Sequence, residues 1–209
     1  NPGKAPVGKV PVVLDPRIGS SIVGHLLGAI AGPAIARGTS FLLGKEERTL
    51  FDSAIVVRDE PHRPRGLRSR AFDGEGLPTA ARDIVADGRI TGWLLDTASA
   101  KQLGLEPTGH ASRGGGASGV SASNLHLAAG SITPDALIAD IDRGVYITEL
   151  IGQGVNPVTG DYSRGASGFL IEGGRIAGPI AEFTIAGNLI DMFAALVPAD
   201  DLVFRHSTN

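Results

Sequence analysis

Residues 156–192 read NPVTGDYSRGASGFLIEGGRIAGPIAEFTIAGNLIDM, and their pattern decides the fold class. Gly168 to Glu172 and Arg175 to Gly178 are short β-prone runs around Gly173-Gly174, a two-residue hairpin turn whose residues both need positive φ. Ile180 to Ile185 reads as a further strand. Asn188 to Leu196 carries Leu189, Met192, Phe193 and Leu196 at i, i+3, i+4 and i+7, the spacing of an amphipathic helix. Short antiparallel strands with a few interspersed helices make the expected class α+β.

Working outward, the same pattern continues. Val10 to Leu14 is a β-branched run ending in a turn at Asp15-Pro16. Ser20 or Ser21 then caps an expected helix through about Ala31, stopped by Gly32-Pro33. Its apolar face is Ile22, Val23, Leu26, Leu27 and Ile30. Ser21, Gly24, His25 and Gly28 form a small face that would let another backbone come close. Ile35 to Leu43 is a weaker helical segment. Ser53–Val57, Ile90–Leu95, Asn124–Ala128 and Val145–Ile151 read as strands. Thr97 to Leu103 is a helix capped by Asp96 or Thr97 and stopped by Gly104. Thr133-Pro134-Asp135 opens another, ended by Gly144. Arg58 to Thr79 is a long polar loop expected to be functional or mobile, and the Gly/Ser-rich stretch Gly109 to Ser123 is expected to be loop.

At 209 residues the chain is read as a single domain, 1–209, large enough for a substantial core. Its net charge of -3 argues against a protein held to nucleic acid by phosphate neutralisation. The absence of cysteine rules out disulfides, thiolate metal sites and a cysteine nucleophile, and fits the cytoplasm. The apolar run Ile22 to Ala36 is broken by His25, glycines and Pro33, so no membrane span or membrane partner is expected. The opening NPGKAPVGKV lacks an initiator methionine and runs straight into a strand, which suggests a piece of a longer protein.

The five histidines, His25, His62, His110, His126 and His206, never come within four residues of one another, so no H-E-x-x-H motif exists. There is no G-x-S-x-G elbow either; Gly165-Ala166-Ser167-Gly168 reads as a turn leading into a strand. Gly114-Gly115-Gly116 lacks the Lys-Ser/Thr pair of a phosphate loop. Arg63, Arg65, Arg68 and Arg70 are flanked by Glu60, Asp73 and Glu75, so they read as a solvated loop. His126 alternates with Leu125 and Leu127, so it faces solvent or a cavity. His25 on its helix reads first as a hydrogen-bonded packing residue.

Residues 12–42 (VVLDPRIGSSIVGHLLGAIAGPAIARGTSFL), 69–79 (SRAFDGEGLPT), 91–114 (TGWLLDTASAKQLGLEPTGHASRG) and the 156–192 block together resemble the TldD/PmbA family, closest to its PmbA/TldE branch. The resemblance covers nearly the whole chain and implies that family's C-terminal domain, the family's N-terminal domain being absent here. In the catalytic TldD branch a helix carries H-E-x-x-x-H, with a cysteine ligand further on. Laid on this sequence, the first histidine position is Ser20, the glutamate position Ser21, the last histidine His25 and the cysteine position Gly165. Hydroxyls do not replace imidazole, carboxylate or thiolate around zinc. The resemblance therefore implies a non-catalytic subunit with no cofactor of its own. Zinc is expected in a TldD-like partner, with dimerisation to that partner or to itself and a chamber for peptides or unfolded protein. Two alternatives stand beside it. One is a zinc metallopeptidase with ligands from elsewhere, such as His25 with His110 or His126. The other is a regulator of DNA gyrase, the branch's older description, although the acidic pI opposes direct DNA contact.

Overall fold

The computed structural model describes residues 2–114, 119–205 and 208–209. Its elements run β1 (Val12–Leu14), α1 (Pro16–Ala29), α2 (Gly32–Ala36), β2 (Val57–Asp59), β3 (Arg82–Ala86), β4 (Arg89–Ile90) and α3 (Thr97–Leu103). They continue with β5 (Ala111–Ser112), β6 (Gly119–Val120), β7 (Leu125–Leu127), α4 (Pro134–Ala139), β8 (Arg143–Ile151), β9 (Asp161–Glu172), β10 (Arg175–Asn188) and α5 (Leu189–Ala194). One four-stranded sheet has the order β1-β8-β9-β10, a second β4-β3-β2-β7, and β5 pairs with β6 alone. Among the described residues the pairings between these strands are antiparallel except β1 with β8. The α+β architecture expected from the sequence is the one observed.

The 156–192 block is more continuous than its pattern suggests. Gly173 and Gly174 turn the chain at φ 54° and 74°, joining Glu172 to Arg175 as expected of a primed turn. The two strands they join are 12 and 14 residues long. Gly165-Ala166-Ser167-Gly168 therefore lies inside β9, and Ser167 is a strand residue whose hydroxyl donates to Glu149 at 2.9 Å. Glycine occupies position 168 because an added Cβ would stand 2.0 Å from the Tyr146 carbonyl oxygen. Ile180 to Ile185 is not a separate strand but part of β10, which shifts register near Pro179 and again before Phe183. Proline has no N–H to give the ladder, and Glu182 at φ 57° takes up the second irregularity.

The N-cap of α1 lies five residues before the first of the two expected ones, Ser20. Asp15 is its N-cap and Pro16 its first residue, and the Asp15 carboxylate accepts from the Arg17 backbone N–H at 2.9 Å. The Asp-Pro pair that reads as a turn is the favoured opening of a helix. Ser20 and Ser21 consequently lie inside the helix. The Ile35–Leu43 helix shortens to α2, whose chain leaves through Gly38 at φ 68°. The Ile90–Leu95 strand ends after Ile90, because Gly92 at φ 134° breaks the ladder; Leu94 only bridges Ala31. The Ser53–Val57 strand moves to Val57–Asp59, since the Asp52 side chain accepts from Ala54 N–H and turns the chain there. Gly144 belongs to β8; α4 already ends at Asp140. α3 follows its sequence signals, with Asp96 accepting from Ser99 N–H at 2.9 Å and Gly104 left-handed at φ 68°.

The main core lies between α1, α5 and the second sheet. Ile22, Val23, Leu26 and Ile30 of α1 and its C-cap join Val57, Ile84 and Val85 there. Phe193 of α5 stacks on Phe51 at 4.8 Å between ring centroids. A smaller cluster of Val145, Ile147, Ala166 and Ile180 seals the first sheet against Ile18 at the start of α1. α1 thus presents one side to each sheet, and the strip between holds His25.

The long polar loops are tied down. Asn124 accepts from Arg68 N–H and donates to Glu60 O and Ser69 Oγ. Arg70 donates to Ser121, and Asp73 accepts from the backbone N–H of Glu75, Leu77 and Ala111. Arg58 to Thr79 is therefore an anchored crossing segment with its first two residues in β2. The Gly109–Ser123 segment holds the β5–β6 pair, and its residues 115–118, with most of the Gly114–Gly116 run, lie outside the described residues.

Candidate functional site

His25 sits on α1 one helical turn after Ser21, so their side chains share a face. That face looks onto β9, where Tyr162 and Arg164 project on one side because they are two residues apart. The His25 and Tyr162 rings meet edge to face with centroids 5.9 Å apart. Between helix and strand opens a pocket of about 290 Å3. Its polar lining is His25, Arg164 and Gln153, and Phe41, Val155 and Leu189 are among its apolar walls. Gly24 and Gly28 line it too, and both are exposed; nothing stands within 4 Å of a Cβ built on either. Among the described residues the small face of α1 therefore borders open space instead of receiving another backbone.

Four buried polar atoms around this pocket lack hydrogen-bond partners: Ser21 Oγ, His25 Nε2, Tyr162 Oη and Arg164 Nε. His25 is thus not the hydrogen-bonded packing residue expected. Burial, reinforced by the Arg164 guanidinium, pushes the His25 imidazole below its ordinary 6.5, so it is neutral at pH 7. Burial pushes the Tyr162 phenol upward, with Arg164 close enough to work against that rise without making a hydrogen bond of ordinary geometry. Arg164 itself donates to the Leu150 carbonyl at 3.4 Å. It has no carboxylate partner among the described residues.

Of the four degenerate motif positions, only His25 lines the pocket; Ser21 lies one turn before it on the same face of α1. Ser20 lies five residues before His25, roughly 140° away around a regular α-helix. Gly165 adjoins Arg164 on β9 but points to the opposite face, where a Cβ would touch Ile151 at an ordinary 3.5 Å. Tyr162 and Arg164 were not legible as site residues, because the expected strand began only at Gly168 and left them unassigned. The signal was the Tyr-x-Arg alternation, visible only once the strand is begun at Asp161.

The other histidines go elsewhere. His110 is buried, with Nδ1 2.8 Å from Thr108 Oγ1 and Nε2 3.4 Å from Asp59. His126 is also buried rather than solvent-facing, packed edge to face on Phe204, with Nδ1 4.0 Å from Glu60. His126 pairs with Arg58, and Asp59, beside His110, alternates with Arg58 along β2, so His110 and His126 lie on opposite faces of the second sheet. His62 pairs with Thr79 Oγ1 at 3.1 Å, and His206 lies outside the described residues.

The Asp59, His110 and Ser123 cluster is buried but is not a nucleophilic triad. The Ser123 hydroxyl donates to Asp59 at 2.6 Å, and no hydrogen bond joins it to His110. Burial raises the Asp59 carboxyl, but hydrogen bonds from His110 and Ser123 outweigh it and leave the group below its ordinary value.

A family model for the PmbA/TldA metallopeptidase C-terminal domain matches residues 7–209. This chain belongs to the PmbA/TldD family. Metalloprotease PmbA of Escherichia coli O157:H7 is 41% identical over 197 residues, covering 94% of this chain and 42% of that protein. The PmbA homolog of Haemophilus influenzae is 41% identical over 206 residues, covering 98% and 44%. The crystal structure of a protein described as a modulator of DNA gyrase from Bacteroides thetaiotaomicron superposes with a TM-score of 0.89 at 32% identity, covering 99% of this chain and 45% of that one. The chain spans less than half the length of the curated relatives it matches.

The family name implies a metal, and the residues around His25 do not fit one. Zinc takes three or more imidazole, thiolate or carboxylate donors. This pocket offers one imidazole, one amide and a guanidinium that repels cations, with the Ser21 hydroxyl one turn away on α1. Among the described residues no group of three or more histidines or carboxylates could hold a metal ion. No helix among them is long and apolar enough to cross a membrane.

Proposed function

We propose that this chain is a non-catalytic, peptide-holding subunit of a TldD/TldE-type metallopeptidase complex, working in the cytoplasm. Zinc and the general base belong to a TldD-like partner, and a pairing with a second copy of this chain is the other arrangement. The supporting observation is the make-up of the α1–β9 pocket: a neutral imidazole and a guanidinium occupy the place where a peptidase needs clustered ligands and a carboxylate base. A single imidazole beside a guanidinium does not hold the cation that would polarise a scissile carbonyl. What they can do is bind. The walls are apolar, the polar groups converge, and the pocket faces open space beside Gly24 and Gly28. An unfolded or peptide substrate could also add main-chain hydrogen bonds along the outer edge of β10, which is last in its sheet and bridged outside by Gly3 at Ile180.

The test is to purify this chain alone, a TldD-type subunit carrying H-E-x-x-x-H alone, and the two together. Zinc content and hydrolysis of an unstructured peptide are then measured for each. The expected result is metal and cleavage wherever the TldD-type subunit is present and neither in this chain alone. One zinc per chain here, lost on His25→Ala, overturns the proposal.

A further inference from the structure

The arginine in the pocket lacks a counter-ion. Arg164 is partly buried, its Nε is unpartnered, and its one hydrogen bond is a long one to a backbone carbonyl. A guanidinium partly withdrawn from bulk water without a carboxylate is left under-satisfied, and native proteins ordinarily supply such a group with an anion from a side chain or a ligand. No side chain does so among the described residues, and no acidic residue lines the pocket. Gln153 lies on the exposed rim and His25 on the opposite wall, each able to donate a further hydrogen bond. Phe41, Val155 and Leu189 make the remaining walls apolar. At about 290 Å3 the space lies at the small end of ligand sites, room for one residue and not for a length of chain.

We infer that the α1–β9 pocket binds a carboxylate attached to one small apolar group, with Arg164 as its counter-ion and His25 and Gln153 as flanking donors. A planar carboxylate suits the guanidinium fork, and the apolar walls take the adjoining side chain. The carboxylate could be a peptide's C-terminus or an acidic side chain; that origin rests on the peptide-holding reading above, while the anion preference does not. The pocket beside His25, the one retained ligand position, would then recognise a carboxylate.

The 209-residue chain, freed of metal by a chelator and dialysed, is titrated by NMR with N-acetyl-leucine, N-acetyl-leucinamide and the α-amide of N-acetylglutamate. Affinity for a ligand this small is expected on the order of millimolar. The free acid should shift resonances of Gly24, Gly28 and Gln153, and the leucinamide should bind roughly tenfold or more weakly. Saturation by the glutamate derivative alone would still support the carboxylate and identify a side chain as its source. Arg164→Met should abolish the discrimination, and Arg164→Lys should keep part of it if both variants retain the parent amide spectrum. Bound acid should also raise the His25 imidazole pKa, a response that a purely structural arginine would not give. Equal binding of acid and amide, binding of none of the three probes, or unchanged binding in Arg164→Met overturns the inference. Stoichiometric zinc on the untreated chain would instead sink the subunit reading, leaving the acid-to-amide ratio to be measured on its own.

Discussion

Gly168→Ala and Gly165→Ala differ by three positions in one strand and should differ sharply in cost. Gly168 pairs with Ile147 on one side and Ile180 on the other, so β9 is held between two strands there. An alanine Cβ would stand 2.0 Å from Tyr146 O, 2.9 Å from Ile147 Cα and 3.0 Å from Tyr146 C. All three are backbone atoms, which cannot swing aside as a side-chain tip can. The strands must part, at an overpacking cost of about 1–3 kcal/mol. One or two ladder hydrogen bonds weaken with them, at about 1 kcal/mol each. Replacing glycine recovers at most about 1 kcal/mol of chain entropy. The net expectation is a loss of about 3 kcal/mol, or a Tm lower by roughly 6–12 °C for a chain this size. At Gly165 the nearest neighbour of the new Cβ is Ile151 at 3.5 Å, an ordinary contact, and no positive φ must be kept. Gly165→Ala should therefore be neutral or slightly stabilising. Urea and thermal denaturation of both variants check this. Equal stabilities, or a Gly168→Ala protein within about 0.5 kcal/mol of the parent, would refute the β8–β9 register that places Gly168 against Tyr146.

Three other outcomes follow from the buried polar groups. Tyr162→Phe removes a hydroxyl with no partner, so urea midpoints should be unchanged or improved by up to about 1 kcal/mol; a loss greater than that would mean the hydroxyl is satisfied. Asp59→Asn should cost about 3 kcal/mol at pH 7, because it breaks a buried charge's bonds to Ser123 and His110. Since the folded carboxyl is held below its ordinary value, the Asp59 contribution is complete above the unfolded pKa near 3.8 and disappears as pH falls through the lower folded one; the variant's acid denaturation should lack that component. NMR titration of His25 should find it neutral to below 6.5 and rising in Arg164→Met. The sign follows: a depressed folded pKa means stability present above 6.5 and eroded as pH drops below it.

Local chemistry made several elements legible from the sequence. Gly173-Gly174, Asp96 before α3 with Gly104 after it, and Thr133-Pro134-Asp135 each specify a backbone geometry within a few residues, and each is found as read. What escaped depends on distant parts of the chain. Gly165 and Gly168 suggest a turn because glycine is poor in strands. Gly168 is tolerated because Tyr146, which only the fold brings near, leaves no room for a Cβ. The parallel pairing of β1 with β8 joins Val12 to Val145, with the Tyr146 hydroxyl donating to Asp15 at 3.0 Å, and no local pattern announces it. The site divided in the same way. His25 was visible as a lone polar residue on a small helix face, whereas Tyr162 and Arg164 became visible only with β9 complete.

Arg164 matters to the functional argument more than the missing ligands do. Missing ligands can be restored by substitution, but a fixed positive charge in the same pocket opposes any cation brought there. A dication about 6 Å from a guanidinium is repelled by about 5 kcal/mol at an effective dielectric near 20, which is several decades in affinity. The geometry offers a direct trial. Ser21 and His25 lie four residues apart on one face of α1, the spacing at which paired histidines chelate zinc. Ser21→His alone should therefore bind zinc poorly despite supplying two imidazoles. Ser21→His combined with Arg164→Met should bind it roughly 10- to 1,000-fold more tightly, the lower figure allowing for solvent screening at a half-open pocket. Competition against a zinc indicator measures the difference, with amide spectra showing that both variants stay folded. If Ser21→His binds equally well with Arg164 present, the guanidinium does not govern the pocket's electrostatics, and the preference for an anion over a metal loses its physical basis.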